Sequence, residues 1–488
     1  MARKFSVFLY YFGIVLAIVG ALGQSKELMA GGTLAVALGY GLTDYFSNDR
    51  DSITPMTINA LFFGVWIGLG NLIACFVVNT PYEETFYSYS AMDFLLEAQY
   101  LAVLTVVVPL VSYRWFVRLY KVPRRFHPHV PSVAVEVSNK TLLIFCLALF
   151  GFDWAARLFN IPLESLGTFA GFLAKTSELA IFLLTWHWLG PAPTLPRWTR
   201  WLLVLGLTFD VVYSAMFSYM RGEVAYPLFA FFLAFLVRKA VTKRVVVIAS
   251  LLLIVFSFFY KVTGDTRGEG IFGAERIEVV LSGFLGDHPD SAIVGNNGAG
   301  GSAFMSLIAR GCNFGQLSQV ARVADEEGLY YGRTLEYLSY AFIPRLIWPE
   351  KPLITPGQWF AEKIGHGSRI SETQFSNSIN MTVGGELYLN FGWFGAVAGL
   401  ALMGFLYALF WESTDFYGKR NNPIGHGLAI SILLQAIGGS SAGAILQLIF
   451  FYLGMLSISW ALTAFSERKS KARTLKIGRM ASSGIADG

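Results

Sequence analysis

Charge is the scarcest ingredient of this chain. Asp, Glu, Lys and Arg make up 14% of its 488 residues, where a soluble domain carries about a quarter. Too few charged groups exist to coat the two to four water-soluble domains that this length would otherwise suggest. Cysteine is scarce as well. Of the three, Cys75 and Cys146 fall inside apolar runs and Cys312 stands alone in a polar stretch, so neither a disulfide framework nor a metal-ligand spacing can be built. The same arithmetic excludes disordered and collagenous classes.

What abounds is hydrocarbon. Hydrophobic residues are 55% of the chain and aromatic residues 16%, with 42 Phe and 12 Trp, and the mean hydropathy is +0.53. That is the profile of a polytopic membrane protein with aromatic belts at the interfaces. A crossing needs about 20 mostly apolar residues. Twelve segments qualify, near 5–23, 29–46, 56–79, 93–113, 141–159, 167–189, 200–219, 223–237, 245–261, 385–411, 425–440 and 444–465. Residues 5–23 are longer than the apolar core of a usual signal peptide, and no clear cleavage motif follows, so they are read as a retained helix.

Basic residues choose the orientation. With both termini in the cytoplasm, 23 of the 37 Lys and Arg lie on the inner side, and the short outer loops keep only Lys26 and Arg221. The positive-inside rule asks for such a bias. The run Arg114, Arg118, Lys121, Arg124, Arg125 reads as an anchor on anionic inner-leaflet lipid. The net charge of +5 is sorted by membrane side, which is not a nucleic-acid pattern.

One irregularity breaks the alternation. Residues 262–384 form a single outer loop holding ten Lys and Arg, counted from Lys261, and thirteen Asp and Glu. Ordered loops of such length are usually functional. Apolar spacing in 303–323 and 334–343 is compatible with helices, so the loop is expected to fold as short helices against the outer face of the bundle. The chain then divides into nine spans (1–261), the loop (262–384), three spans (385–465) and a basic cytoplasmic tail (466–488). The string GEGIFG at 268–273 satisfies GxGxxG but follows a span instead of a strand, which rules out a dinucleotide site.

Ionisable groups within spans are costly and therefore informative. Asp153 and Arg157 are four apart on one helix face, Lys175 and Glu178 three apart, and each pair can neutralise itself; Asp210 has no local partner. Arg221, at an outer turn, either snorkels to the interface, pairs with Glu223, or faces outward as an anion clamp whose planar guanidinium matches phosphate. In 343–352 (IPRLIWPEKP) three prolines stiffen a frame that presents Arg345 and Lys351 beside Trp348, which suits a lipid diphosphate headgroup or a plain surface anchor. Glu386 enters the tenth span near its outer end, as a base toward a sugar hydroxyl or as the partner of a loop arginine. His366 is a second base candidate or simply solvated.

Four segments in order, SYMRG (218–222), ARGCNFGQLSQ (309–319), PRLIWPEKP (344–352) and GELYLNFGWFG (385–395), resemble bacterial oligosaccharide repeat-unit polymerases, the O-antigen polymerase (Wzy-type) group. They cover about residues 215–411, a little under half of the chain; the first half matches only as hydrophobic spans. The resemblance implies an all-α integral membrane glycosyltransferase of the GT-C type, related to O-antigen ligases, in the bacterial inner membrane, with no metal or cofactor. It would join two polyprenyl-diphosphate-linked oligosaccharides at the periplasmic face, passing the growing glycan to a sugar hydroxyl of an incoming lipid-linked repeat. Membrane lipids surround it, and a flippase and a chain-length regulator are the partners implied. Arg221, Arg310 and Arg345, with Lys351 in reserve, would neutralise the leaving diphosphate, and Glu386 or His366 would act as base.

Two departures from the family pattern stand out. Related ligases place a histidine shortly before the helix start, where this chain has Asn380 and Met381. Arg345 and Gly357 also miss an R-x10-G spacing by one residue. Ligation to another acceptor and transport of a lipid-linked sugar are the alternatives; against transport, no paired halves or broken helices in equivalent positions are visible.

Overall fold

The computed structural model describes residues 2–47, 53–120, 135–159, 176–190, 195–217, 221–251, 311–340, 347–352, 356–367, 378–416, 422–438 and 452–457, with isolated positions between them. Among these residues every regular element is helical. In chain order the helices are α1 (Ala2–Leu22), α2 (Lys26–Tyr45), α3 (Pro55–Phe76), α4 (Glu83–Tyr87), α5 (Leu95–Tyr120), α6 (Asn139–Leu158), α7 (Thr176–Trp188), α8 (Thr199–Phe217), α9 (Arg221–Val237), α10 (Phe314–Glu327), α11 (Pro356–Lys363), α12 (Thr382–Ser413) and α13 (Pro423–Gly438). Six of them, α1, α3, α5, α6, α8 and α12, contain stretches long and apolar enough to cross a membrane, and α9 and α13 contain shorter apolar stretches. The protein is membrane-embedded and all-helical. Of the twelve expected spans, 29–46 corresponds to α2, which is not among the six, and 167–189, 200–219, 245–261, 425–440 and 444–465 lie partly outside the described residues.

Local sequence explains where several helices begin. Ser25 caps α2 by accepting from the Leu28 amide at 3.2 Å. Thr54 and Thr57 cap α3 reciprocally, with Pro55 at the first turn, where its missing N–H costs nothing. Ser138 caps α6 through the Thr141 amide at 3.1 Å. Such caps matter most where no water can satisfy a free amide.

The helices bury a small apolar core around Val320, Phe360 and Leu389 and two larger ones. One, around Met56, Leu101, Leu110, Phe314 and Leu400, unites α1 to α5 with α10 and α12. The other, around Phe150, Phe182, Leu203 and Leu233, unites α6 to α9. Helix α13 joins them: Leu428 and Ile432 enter the first core, while Ala429 and Leu433, one position on, enter the second. Consecutive i,i+4 pairs on adjacent stripes let one helix serve both.

The closest helix contact is the seam between α1 and α2. A Cβ at Gly13 would stand 2.5 Å from the Val36 amide nitrogen, one at Gly32 equally close to that of Ala17, and one at Gly39 would overlap the Tyr10 backbone. Small residues permit this approach, which is how helices associate when lipid removes the hydrophobic driving force. The opposite face of α1, with Phe5, Phe8, Phe12 and Val15, is exposed to hydrocarbon.

Gly39→Leu should therefore force the two backbones apart, costing about 1–3 kcal/mol or more and lowering the thermal midpoint in detergent. Gly151→Ala on α6, where a Cβ meets nothing within 4 Å, should hold or raise the midpoint through helix propensity. Equal midpoints for the two variants would dismiss the seam as a stabilising contact.

Candidate functional site

Helix α12 is a hairpin. At Gly392 the backbone takes φ 66° and ψ −159°, a region essentially reserved for glycine, and the chain doubles back. A Cβ at Gly399 would stand 2.5 Å from the Leu387 side chain, and one at Gly395 would stand 3.1 Å from the Leu387 carbonyl oxygen. In a straight helix residues twelve apart are separated by about 18 Å. The arms 382–391 and 393–413 are therefore antiparallel. The short first arm re-enters the bundle, with Gly384 against Thr105 of α5 and Gly385 against Leu317 and Val320 of α10; the longer second arm makes the crossing.

This corrects the expected span 385–411 and the place of Glu386. Glu386 lies on the re-entrant arm, ahead of the crossing, and is 1% exposed. The apolar run reads as continuous because hydropathy carries no information about direction. Irregular backbone at membrane depth survives only when buried in protein, and here α5, α10 and the second arm bury it.

The arm ends in carbonyls that have no helical partner. The chain after α10 supplies one: the Tyr330 amide donates to Leu389 O at 3.0 Å and the Tyr331 amide to Asn390 O at 2.9 Å. The Asn390 side chain completes the clamp. Its Oδ1 accepts from the Gly332 amide at 2.9 Å, and its Nδ2 donates to Thr334 Oγ1 and to the Glu386 carbonyl. Gly332, at φ 91°, turns the loop toward it. Glu386 and Asn390 are one turn apart and share a face of the arm; Gly385 and Leu389 share the face toward α10 and α11.

Residues 311–320 of the long segment between α9 and α12 penetrate the bundle, where the sequence suggested helices lying on its outer face. Gly311 packs on Trp66, and Gly70 of α3 packs on Cys312, each contact so close that neither glycine tolerates a Cβ. The Asn313 amide donates to Asn71 Oδ1 at 2.9 Å, and Asn71 Nδ2 donates to Gln99 Oε1 at 3.0 Å. Tyr89 donates to Gln316 at 3.0 Å and Ser318 accepts from the Ala91 amide at 2.9 Å. These bonds key the start of α10 between α3 and α5. Helix α11 then rests on α10 and the arm through Phe360, Ala361 and Ile364 against Val320, Val323 and Leu389. Lys363 pairs with Glu327 at 2.7 Å, and Lys363 together with the Tyr330 hydroxyl holds the Glu327 carboxyl below its ordinary range.

The remaining sequence candidates fall in several places. His366 is exposed just beyond α11, its ring 5.6 Å from that of Tyr89. Lys351 is not displayed as the sequence suggested: it is buried, and its Nζ donates to the Ile343 carbonyl at 2.9 Å. Arg221 opens α9, with its side chain outside the described residues, and Arg310 and Arg345 lie outside them altogether.

A second polar cluster lies within α6, α7 and α8. The expected pair forms, Arg157 Nε to Asp153 at 2.8 Å, and Arg157 also donates to Ser214 at 3.2 Å. Asp210 accepts from Trp154 Nε1 at 3.2 Å and Glu178 from Ser177 at 3.3 Å. Lys175, the expected mate of Glu178, is outside the described residues. Among the described residues no group of His, Cys, Asp and Glu is arranged to hold a metal ion.

No family model, curated protein or solved structure matches the chain. The site is therefore read from its own geometry. Sequence reasoning overlooked the Asn390 clamp, although Asn390-Phe391-Gly392 carries a helix-stop signal, glycine where a left-handed residue is needed.

Asn390→Ala should release the 330–334 segment, at a cost of about 1–3 kcal/mol for the donors left unsatisfied. Gly392→Ala should strain the turn by about 1–3 kcal/mol. Hydrogen exchange at 329–334 checks both. Unchanged protection in the two variants would mean that something else holds this segment.

Proposed function

We propose that the protein is a membrane glycosyltransferase of the GT-C type that polymerises polyprenyl-diphosphate-linked oligosaccharide repeats at the outer face of the bacterial cytoplasmic membrane. On this reading it has twelve spans and both termini in the cytoplasm. One observation carries the reading: two of the four resemblance segments, ARGCNFGQLSQ and GELYLNFGWFG, pack on each other through Gly385 against Leu317. Glu386, next to this contact on the re-entrant arm, is a buried carboxylate. A shared site is a reason for distant segments to keep such company.

Polar contacts lend support to the sidedness. Lys239 with the Ser47 carbonyl, the Val133 amide with the Ser413 carbonyl and the Val135 amide with Asn422 join segments read as inner. Ala91 with Ser318 joins segments read as outer, and Tyr100 with the Ala21 carbonyl and Asn313 with Asn71 involve the outer halves of the spans 5–23, 93–113 and 56–79.

In the proposed reaction Glu386 takes the proton of the acceptor hydroxyl as its oxygen attacks the anomeric carbon of the growing glycan. The bond from that carbon to the diphosphate oxygen breaks, and the polyprenyl diphosphate leaves with the electron pair. Arg221, Arg310 and Arg345 meet the charge that grows on the leaving group. Lys351, bonded to the Ile343 carbonyl, positions the segment that carries Arg345. Burial of Glu386 keeps competing water from the base. His366, exposed beside Tyr89, is the second base candidate. The cluster of Asp153, Glu178 and Asp210 around Arg157 favours the transport alternative, because intramembrane carboxylates mark ion and substrate pathways.

Purified protein in lipid nanodiscs, given a synthetic lipid-linked repeat, should yield a ladder of longer glycans still bearing polyprenyl diphosphate; transfer of the glycan to a different acceptor, with polyprenyl diphosphate released, would identify a ligase. Glu386→Gln should slow the reaction by about 10²–10⁴-fold with KM little changed. Arg221→Ala and Arg345→Ala should each remove most activity, and Arg221→Lys should restore part of it. Binding of the cognate unit without any elongation would sink the polymerase reading. Movement of the lipid-linked unit across protein-containing vesicles, without elongation, would establish the transporter.

A further inference from the structure

A groove of about 620 Å³ runs between α1 and α5, over α2, with Trp393 at one end. Its walls are Ile14 and Ile18 of α1, Val103 and Val107 of α5, and Met29 and Val36 of α2. The one hydroxyl on its rim, Tyr100, is already spent on the Ala21 carbonyl at 2.8 Å. Apart from the Trp393 indole the lining is hydrocarbon, which suits an apolar chain better than a sugar or a phosphate.

Its position fixes its length. The groove spans Ile14 to Ala21 on α1, seven residues or about 10 Å at the helical rise. Half of a bilayer core is about 15 Å deep. The groove therefore fits within one leaflet and is too short for a crossing helix. Because α1 packs along α2, leaving Ile18 half exposed, the groove opens sideways to lipid. Its polar-side end is the Tyr100–Ala21 bond and Trp393, the residue directly after the hairpin turn; Tyr388 of the re-entrant arm packs on Trp393 at 4.7 Å. The mouth of the groove and the arm that bears Glu386 thus share one turn of backbone.

We propose that this groove binds a hydrocarbon chain of an outer-leaflet lipid, the polyprenyl tail of the lipid-linked glycan, with the headgroup delivered at Trp393. The assignment of the tail rests on the polymerase reading. The hydrocarbon character of the occupant rests on the lining and the leaflet position alone.

The test uses the full protein in nanodiscs and a polyprenyl diphosphate carrying a photoreactive diazirine in its tail, with adducts mapped by mass spectrometry. Labelling should be saturable and fall on groove-facing peptides of α1 and α5. Excess unlabelled polyprenyl diphosphate should displace it, and excess phosphatidylglycerol should not. Val103→Trp, which fills the groove, should cut labelling about tenfold, whereas Val15→Trp on the exposed face of α1 should leave it unchanged; thermal midpoints show that both variants fold.

In a polymerisation assay Val103→Trp should raise KM for the long-chain carrier and spare a short-prenyl carrier. Labels spread equally over the Phe8 and Val15 face, or displaced by phosphatidylglycerol, would reveal ordinary boundary lipid and overturn the proposal. Saturable groove labelling without polymerisation would keep the groove and discard the polymerase. Polymerisation without groove labelling would do the reverse.

Discussion

Inside a bilayer a backbone carbonyl without a partner has no water to fall back on, and the half of this protein that holds α10, α11 and the hairpin is organised around two such groups. The carbonyls of Leu389 and Asn390 are released when the chain reverses at Gly392, and the amides of Tyr330 and Tyr331 take them up. The loop is thereby bound to the hairpin, Asn390 locks the bond pair from the side, and α10 and α11 follow because they flank the clamping segment. Each unsatisfied group in hydrocarbon costs several kcal/mol, so hairpin and loop form together or not at all. The buried position of Glu386 is a consequence of that coupling.

Small residues make the coupling sterically possible. Gly70 and Gly311 allow the start of α10 to pass between α3 and α5, Gly384 and Gly385 allow the arm to lie against α5 and α10, and the α1–α2 seam repeats the device elsewhere. Close backbone approach gives many weak contacts in place of a hydrophobic driving force that lipid cancels. The second core is built differently. There Phe150, Phe182 and Trp186 fill space, and the polar burden is borne by Arg157 among carboxylates, with α13 tying this half to the first.

The membrane class and the all-helical fold were legible in composition, and so were most helix positions, because each is a local property. The Asp153–Arg157 pair was legible from its i,i+4 spacing for the same reason. The hairpin was not. Residues 385–411 have the apolarity of one span, and only pairing with a segment more than fifty residues earlier reveals the reversal. Lys351 illustrates the converse error: a cation in a proline-rich loop reads as displayed, yet a carbonyl eight residues back claims it. The glycines and Asn390 in GELYLNFGWFG were visible as a motif, but their work belongs to the clamp and the turn.

The two faces of the re-entrant arm now have separate tasks. Tyr388 looks toward Trp393 and the apolar groove, while Glu386 shares the face of Asn390. A lipid whose tail lies in the groove must therefore lead its headgroup around the hairpin turn before a sugar reaches the carboxylate. Phe391, Trp393 and Phe394 are all exposed at that turn, an aromatic surface at the level where hydrocarbon gives way to polar groups. On the polymerase reading proposed above, the turn between tail site and base would fix the distance from lipid to reacting carbon without any need to recognise the glycan along its length. A polymerase whose product grows at every cycle would then read the constant end of its substrate.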